Sequence, residues 1–294
     1  MPSSQIAFLT NPTAGKGRGG RAAEGALVRL RAAGYDVRNL QGGDADEALD
    51  LARGCVADGI ETLVVCGGDG MVHIGVQAVA ETQTQTTLGI VPAGTGNDVA
   101  RYLGLPRKDP LAAVDIVIRG KQDRIDLARI GTTYFTTVLS TGFDAIVNER
   151  ANEMTWPKGQ MRYNIATLAE LRLLKPISYV IDVDGEELRT DATLVAIGNG
   201  PSFGGGLRIT EGADLHDGML DVVVIEPLSK LELLRTYPKL FKGTHVTHPG
   251  YSHRLARRVT VAAAGIVAYA DGERIGPLPL TVEAAPGALR VLVP

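Results

Sequence analysis

The sequence predicts an α/β fold, with an N-terminal doubly wound parallel-sheet domain and a C-terminal antiparallel β-sandwich domain. Three observations predict it. Over the first 120 or so residues, short apolar segments alternate with helical segments, as in a parallel sheet covered by helices on both faces. Beyond that point, strand-like segments joined by short turns dominate. Glycine-rich stretches follow apolar segments in the first part, which is typical of loops that bind ligands at the carboxyl edge of a parallel sheet.

The first part predicts four strands and five helices. The strands are Ile6–Leu9, Val37–Leu40, Leu63–Cys66 and Leu88–Val91. The helices are Gly20–Ala33, Asp44–Ala57, Val72–Ala80, Val99–Leu103 and Pro110–Ile118. Ala23, Leu27 and Leu30 share one face of the first helix, and Asp44 is positioned to cap the second.

The second part predicts eight strands and two helices. The strands are Arg124–Ile130, Tyr134–Ser140, Ile177–Val183, Ala192–Ile197, Leu220–Ile225, Arg258–Ala262, Ile266–Ala270 and Leu289–Val293. The helices are Gln160–Leu174 and Lys230–Phe241. We therefore expect a nucleotide-binding domain over residues 1–123 and a lipid-substrate sandwich over residues 124–294. The sequence leaves open whether the last strand returns to the first domain.

Composition narrows the class of protein. The chain has 294 residues, 45% hydrophobic and 21% charged, as is usual for a globular protein. Its net charge of −3 argues against a nucleic-acid-binding protein. The sequence shows no secretory leader and no apolar run of the roughly 18–20 residues that span a bilayer. Cys55 and Cys66 form no disulfide framework, so we expect buried thiols in a cytoplasmic protein that meets lipid only at the membrane surface. A homodimer is compatible with the sequence.

The three glycine-rich stretches predict a nucleotide phosphate site with Mg²⁺ nearby. They are Asn11–Gly17, Gly67–Gly70 and Gly94–Asp98. Glycine lets the backbone approach a bulky anion, and a loop that enters a helix presents free N–H groups and a partial positive charge. Lys16 lies in a loop that is not a Walker A motif, and either clamps a phosphate or is a solvated lysine.

Two of these loops have alternative interpretations. Asp69 is aimed at Mg²⁺ or a hydroxyl, or it caps a strand-to-helix turn. In the other loop, Thr95 and Asn97 bond ribose or phosphate oxygens, and Asp98 simply caps the next helix.

The second half holds further polar candidates. Asp271-Gly272-Glu273 either supplies a general base or is a hairpin turn. Asp214 and Asp217 either bind Mg²⁺ or Ca²⁺ or form a solvated acidic turn. Asp144 orients a substrate hydroxyl or caps a strand end.

The region around residues 239–258 is basic, and it either is solvated or attracts anionic headgroups. Its His245, His248 and His253 lack zinc-site spacing and are interpreted as solvated loop residues.

The order and spacing of these motifs resemble the diacylglycerol kinase catalytic-domain family of bacterial lipid kinases, whose relatives include sphingosine kinases. The resemblance runs nearly end to end. The motifs that carry it are Asn11–Gly17, Gly67–Gly70, Pro92–Asp98, Ile125-Asp126, Gly142–Ala145, Asn199-Gly200, Gly204–Gly206, Asp217–Asp221 and Asp271–Glu273.

The resemblance implies a first domain like those of NAD kinase and phosphofructokinase, a β-sandwich, and ATP in the cleft between them. It implies that Glu273 takes the proton from the lipid hydroxyl, and that Lys16, Asp69 and Asp126 surround the phosphates. Asp144 and Asp271 become candidates for substrate binding. A Mg²⁺ site maps to Asp217, with Asp214 and the carbonyl of Met219 beside it. The implied nucleotide contacts are Asn11, Pro12, Thr13, Ala14, Gly15, Gly67, Gly68, Asp69, Gly70, Thr95 and Asn97.

The second glycine motif departs from the family pattern. The family commonly has Thr, Asn and Glu where this chain has Met71, His73 and Ile74. A phosphate-contacting hydroxyl is therefore missing, and we expect neighbouring backbone N–H groups to compensate. The activity that the resemblance implies is phosphorylation of diacylglycerol. The alternatives are an NAD kinase-like enzyme with a soluble substrate, and a nucleotide- or lipid-binding module without turnover.

Overall fold

A computed structural model describes residues 5–10, 18–82, 84–154, 156 and 175–294. The described chain divides into two compact units. Unit 1 comprises residues 1–136, 215–218 and 285–294, and unit 2 comprises residues 137–214 and 219–284. The last residues thus belong to unit 1, which is one of the two arrangements that the sequence left open. The domain boundary at residue 123 stays a prediction.

Unit 1 is built around a parallel sheet. Its strands run in the order β2, β1, β3, β4. The register pairs Ile6 with Val37 and with Thr62, and Leu63 with Leu88. The strands are β1 (Gln5–Thr10), β2 (Asp36–Gln41), β3 (Thr62–Gly67), β4 (Thr87–Pro92), β5 (Gln122–Ile130) and β6 (Thr133–Phe135). The helices are α1 (Arg18–Ala32), α2 (Ala45–Ala57), α3 (Asp69–Ala80), α4 (Asp98–Tyr102) and α5 (Pro110–Arg119).

Alternating side chains of β1 explain why helices cover both faces of this sheet. Ile6 and Phe8 belong to one buried cluster, which includes residues of α1 and α5. Ala7 and Leu9 belong to the other, with residues of α2 and α3. Successive side chains of a strand point to opposite faces, so two apolar faces require two helical layers. The doubly wound parallel sheet predicted from the sequence is confirmed.

Unit 2 is mostly antiparallel. Six strands follow the order β12, β11, β10, β7, β14, β15, and β13 pairs with β8, which pairs with β9. The strands are β7 (Val138–Gly142), β8 (Ile177–Val183), β9 (Glu186–Ala192), β10 (Leu194–Gly198), β11 (Leu220–Ile225), β12 (Tyr251–Ala256), β13 (Arg258–Ala262), β14 (Val267–Ala270) and β15 (Glu273–Pro277). The helices are α6 (Phe143–Glu153) and α7 (Lys230–Leu240), with a 3₁₀ turn at Thr244–Thr247. The antiparallel second domain is confirmed.

The last strand, β16 (Leu280–Leu292), begins in unit 2 and ends in unit 1. Its first residues pair with β13, as Thr281 does with Thr260. Its end pairs in parallel with β4, where Val291 lies opposite Leu88. The final segment therefore contributes a strand to the sheet that carries the glycine loops.

One strand predicted for the second part of the chain was wrong, and four elements of unit 2 were not predicted. Residues 134–140 form parts of two strands, because the chain leaves β6 after Phe135 and enters β7 at Val138. Helix α6 and strands β9, β12 and β15 were not predicted. The predicted helix at Gln160–Leu174 lies outside the described residues.

One buried polar group contradicts the sequence interpretation, whereas the predicted burial of both cysteines is confirmed. His245 was read as a solvated residue, but it is 1% exposed, with Nε2 3.1 Å from the carbonyl oxygen of Ile209. Both cysteines are buried, and burial raises the pKa of Cys66 to about 12. In the described part of the chain, no helix is long and apolar enough to cross a bilayer.

Burial lowers the pKa of His245, and this makes folding sensitive to acid. Below about pH 6.5 the unfolded chain binds a proton that the folded chain resists, so the free energy of unfolding falls as pH falls. We expect this group to lower the free energy of unfolding between pH 7.5 and 5.5. Urea unfolding of the wild type and of His245→Gln at both pH values measures it. An equally steep loss in the variant would assign the acid sensitivity to other groups.

Candidate phosphate-binding loops and carboxylates

Two glycine loops of unit 1 meet at the carboxyl edge of the sheet. The register of β3 and β4 pairs Gly67 with Pro92, and the amide of Ala93 donates to the carbonyl of Gly67 at 2.8 Å. The strands therefore stay paired until both loops begin. Ligands of open parallel sheets bind at this edge.

The two loops touch through their backbones. A Cβ on Gly94 would overlap the Cα of Gly68, and a Cβ on Gly68 would lie 3.2 Å from the Cα of Gly94. Such an approach is open only to residues without side chains. Glycine is thus required at position 94, and a side chain at position 68 would push the two loops apart by a few tenths of an ångström.

Asp69 ties the same loops together by hydrogen bonds. Its Oδ2 accepts from the amide of Asn97 at 2.8 Å, and its Oδ1 accepts from the amide of Asp98 at 2.7 Å. These are the amides with which α4 begins, so Asp69, the first residue of α3, caps a neighbouring helix. The sequence offered a metal ligand or a cap of its own turn, and neither alternative anticipated this bridge.

Asn97 shapes the second loop from within. Its backbone is left-handed, with φ of 50°, and its side chain is 5% exposed or less. Its Oδ1 accepts from the amide of Gly94 at 3.1 Å, and its Nδ2 donates to the carbonyl of Gly94 at 3.0 Å. The side-chain amide therefore closes the loop on itself. Thr95 is exposed at the tip, where its hydroxyl is open to a ligand.

The start of α3 is a suitable place for an anion. Gly68 is its N-cap and supplies no side-chain cap, and a Cβ at Gly70 would meet nothing within 4 Å. A helix N-terminus carries free N–H groups and a partial positive charge. Met71, which stands where the family has Thr, is 7% exposed and belongs to the buried cluster. The side chain of Met71 is therefore not available to a phosphate, and the candidate contacts at this helix end are backbone N–H groups.

Asp126 joins the separate segments of unit 1. The residue is 4% exposed. Its carboxylate accepts from the amides of Gly218 at 2.7 Å and Gly287 at 2.6 Å, and its own amide donates to the carbonyl of Leu215 at 2.7 Å. Each hydrogen bond to a charged group contributes about 1.5–3 kcal/mol. Asp126 thus has a clear structural role.

In unit 2, Asp271 anchors the hairpin that carries Glu273. Asp271 and Gly272 have φ of 51° and 86°, as in a two-residue turn between β14 and β15. Oδ1 of Asp271 accepts from the amide and hydroxyl of Thr137, at 2.9 and 2.5 Å. The carbonyl of Thr137 in turn accepts from the amides of Asn199 and Gly200, at 2.9 Å each. Glu273 follows, exposed, as the first residue of β15.

Sequence reasoning missed two residues. Thr137 connects two of the recognised motifs, but no pattern marks it. Thr10, at the end of β1, is 2% exposed, and its hydroxyl has no hydrogen-bond partner in the part of the chain that the structure describes. A buried hydroxyl of this kind calls for an explanation, such as a ligand. Its position just before the first glycine loop was the available signal.

Several predicted site residues cannot be located. Asn11, Pro12, Thr13, Ala14, Gly15 and Lys16 lie outside the described residues, as does the side chain of Asp144. Asp214 and Asp217 are exposed, and Met219 is half-buried. Within the described ranges, no group of three or more His, Cys, Asp or Glu side chains is arranged to hold a metal ion. The metal role of Asp214, Asp217 and Met219 stays a prediction.

Adding a methyl group at Gly94 tests the loop contact. Gly94→Ala would press a Cβ into the backbone of Gly68, so we expect a loss of about 1–3 kcal/mol in the free energy of unfolding and weaker ATP binding. Urea unfolding and calorimetric titration measure both. Gly54→Ala on α2 is the matched control, since its Cβ would meet nothing within 4 Å. If Gly94→Ala bound ATP as tightly as the wild type, the loop contact would not be needed for nucleotide binding.

Comparison with family models gives two matches. Residues 5–130 match the diacylglycerol kinase catalytic domain. Residues 137–293 match the YegS C-terminal NAD kinase beta sandwich-like domain. Together the two models account for nearly all of the described chain.

Relatives and solved structures agree with these matches. A diacylglycerol kinase of Mycobacterium tuberculosis (strain H37Rv) is 47% identical over 296 residues, covering 99% of this chain and 95% of that protein. The diacylglycerol kinase of Bacillus subtilis (strain 168) is 28% identical over 274 residues, covering 92% and 90%. A crystal structure of a diacylglycerol kinase from Bacillus anthracis gives a TM-score of 0.77 at 19% identity, covering 100% of this chain and 98% of that one. This last likeness supports the fold alone.

Proposed function

This chain belongs to the diacylglycerol kinase family, and from that we propose that it transfers the γ-phosphoryl group of ATP to the free hydroxyl of diacylglycerol. The products are phosphatidic acid and ADP. The observation that carries the proposal is the pair of glycine loops, packed backbone to backbone and bridged by Asp69 at the carboxyl edge of a parallel sheet. Such a bridge fixes the loops before a nucleotide arrives.

We assign the phosphates of ATP to these loops. The backbone N–H groups at the start of α3 face an anion without competition from a side-chain cap, and Gly70 leaves space beside them. Thr95 is exposed to supply a hydroxyl. Phosphoryl transfer depends mainly on positioning and on neutralising charge, and rigid backbone donors provide both.

We propose that Mg²⁺ accompanies ATP, where it would neutralise the negative charge of the phosphates. A Mg²⁺ ion usually keeps several waters and takes one or two carboxylates together with substrate phosphates. In that mode Asp69, which lies at the two glycine loops, would offer a carboxylate oxygen to the ion. The oxygens of Asp69 already hold two amides, so this chain uses them first to position the loops.

We propose Glu273 as the general base. In the reaction, the hydroxyl oxygen of the lipid bonds to the γ-phosphorus, the bridging bond to the β-phosphate breaks, and the hydroxyl proton passes to the carboxylate. Glu273 is exposed, and the Asp271–Thr137 hydrogen bonds fix the turn immediately before it. The anchored turn positions the backbone that carries this carboxylate, and general-base catalysis requires a positioned group.

The proposed lipid substrate determines where in the cell the enzyme would act. Diacylglycerol resides in a bilayer, so we propose a cytoplasmic enzyme that acts peripherally at the membrane surface. The homodimer stays a prediction.

A transfer assay tests the proposed function. The purified chain is incubated with Mg²⁺, γ-labelled ATP and diacylglycerol in mixed micelles, and we expect labelled phosphatidic acid. Triacylglycerol, which lacks the free hydroxyl, is the matched control and should stay unlabelled. Label on NAD instead would favour the soluble-substrate alternative. Tight ATP binding without any labelled lipid would favour the binding module.

A further inference from the structure

Exposed apolar side chains are concentrated in one short segment of unit 2. Ten large apolar side chains are exposed among the described residues, and five of them lie between positions 231 and 246. The five are Leu231 (55% exposed), Leu234 (50%), Tyr237 (36%), Phe241 (50%) and Val246 (36%). Scattered exposed apolar residues need no explanation, but a contiguous group marks an interaction surface.

Helix α7 sorts its side chains into three faces. At 100° per residue, Leu231, Leu234, Tyr237 and Phe241 fall on one side of the helix. Leu233, Thr236 and Leu240 fall on the side that packs, and all three are half-buried. Leu240 contacts the buried cluster of Val138, Ala196, Ile209 and Val223. The exposed apolar face is therefore a second face, additional to the one that holds the helix on its unit.

This face is held in place at both ends. At the N-terminus, Ser229 and Glu232 form a capping box, in which the amide of Ser229 donates to Oε2 of Glu232 at 2.9 Å. At the C-terminus, the carbonyl of Leu240 accepts from the amide of Arg208 at 3.0 Å. The rings of Tyr237 and Phe241 pack edge to face, with centroids 5.9 Å apart. The apolar side chains are thus presented by a fixed helix.

The remaining side of α7 is basic. Arg235, Lys239 and Lys242 lie next to the apolar face, and Lys230 lies at its start. The only acidic residue of the helix, Glu232, is engaged in the capping box. In a chain whose net charge is −3, this local positive charge is distinctive. An apolar face bordered by lysine and arginine matches the surface of an anionic bilayer, where acyl chains lie beneath negative headgroups.

We propose that the apolar face of α7, with Phe241 and Val246 beyond it, is the surface by which this protein docks on an anionic membrane. The inference rests on the proposed function, because a lipid substrate brings the protein to a bilayer. A second copy of the chain fits the face less well. In a twofold contact the same basic residues would face one another, and like charges oppose such a contact.

Vesicle flotation tests the docking surface. The full chain and its variants are mixed with vesicles of phosphatidylcholine alone or with 30 mol% phosphatidylglycerol, about one lipid in three. We expect binding to the anionic vesicles only. Lys239→Gln/Lys242→Gln should weaken it on the order of 30-fold, since each basic residue near the surface contributes about fivefold. Leu231→Asp/Leu234→Asp should reduce it by at least about tenfold for each leucine.

Matched variants control for charge and exposure. Arg107→Gln/Lys108→Gln removes two exposed basic residues from unit 1, and Val28→Asp changes a 64% exposed apolar residue of α1. Both should float like the wild type. Activity on water-soluble dioctanoylglycerol should be the same in the α7 variants as in the wild type, because these residues touch no reacting group.

The outcomes separate the two proposals. Unchanged flotation of both α7 variants would overturn the docking surface. A change from dimer to monomer in sedimentation, with flotation intact, would overturn it in favour of a subunit interface. Absence of phosphorylated dioctanoylglycerol with the wild type would contradict the proposed function, while flotation would still decide the docking surface.

Discussion

Replacing Glu273 by Gln is expected to lower kcat by about 10²–10⁴-fold, because the amide cannot accept the proton of the attacking hydroxyl. The free energy of unfolding should hardly change, since the side chain is exposed and the turn is held by Asp271. Steady-state kinetics on diacylglycerol micelles measure the effect. The KM for ATP should stay close to that of the wild type, because the nucleotide is assigned to other residues.

The chain contains its own control for this variant. Asp184-Gly185-Glu186 forms the same kind of turn, with φ of 52° and 93°, and Glu186 is likewise the first residue of a strand. Its carboxylate pairs with Arg254 at 2.9 Å on the surface, an interaction worth little. Glu186→Gln should therefore leave kcat unchanged. Equal kcat values for wild type and Glu273→Gln would remove Glu273 from the mechanism.

Replacing Asp69 by Ala is expected to abolish activity and also to destabilise unit 1. The amides of Asn97 and Asp98, both in buried residues, would lose their acceptors. Each of the two orphaned groups costs about 1–3 kcal/mol, so we expect a loss of about 2–6 kcal/mol in the free energy of unfolding. Asp69→Asn should cost less, because one oxygen remains. Urea unfolding together with kinetics measures both quantities.

Asp46→Asn is the control for the Asp69 variants. Asp46 also lies in the first turn of a helix of unit 1, but it is exposed. We expect near wild-type stability and activity. If Asp69→Asn were as active and as stable as Asp46→Asn, the bridge between the two loops would have no functional importance.

The parallel half could be predicted well because several independent sequence signals mark the same strands and helices. Three of its four parallel strands, β1, β3 and β4, are short apolar runs. Local signals mark helix ends, such as Asp44, which accepts from the amide of Glu47 at 2.9 Å. The antiparallel half offers weaker signals. Strand β9 carries polar and charged side chains over most of its length, because it is largely exposed. Helix α6 begins at Phe143, directly after Gly142, whose φ is 82°. No side-chain cap marks the start of this helix.

The sequence predicted which residues belong to the candidate site, but it did not predict which hydrogen bonds they make. The sequence identified Asp69 and Asp126, yet each accepts two backbone amides from distant parts of the chain, and no local pattern encodes such partners. The motif Asp-Gly-Glu occurs in two similar turns, so its chemistry cannot be read from its letters. Only the order of motifs along the whole chain distinguished the two.

Because unit 1 is discontinuous in sequence, its glycine loops can reach their folded arrangement only after the later segments of the chain have been made. A fragment of residues 1–136 would contain both described loops, but it would lack Gly218 and Gly287, which satisfy the buried carboxylate of Asp126. In this fragment β4 would also lack its parallel partner on one side, which is the end of β16. During synthesis, unit 1 must therefore wait until residues 285–294 have left the ribosome. The first half of the chain is not expected to work as an independent ATP-binding module.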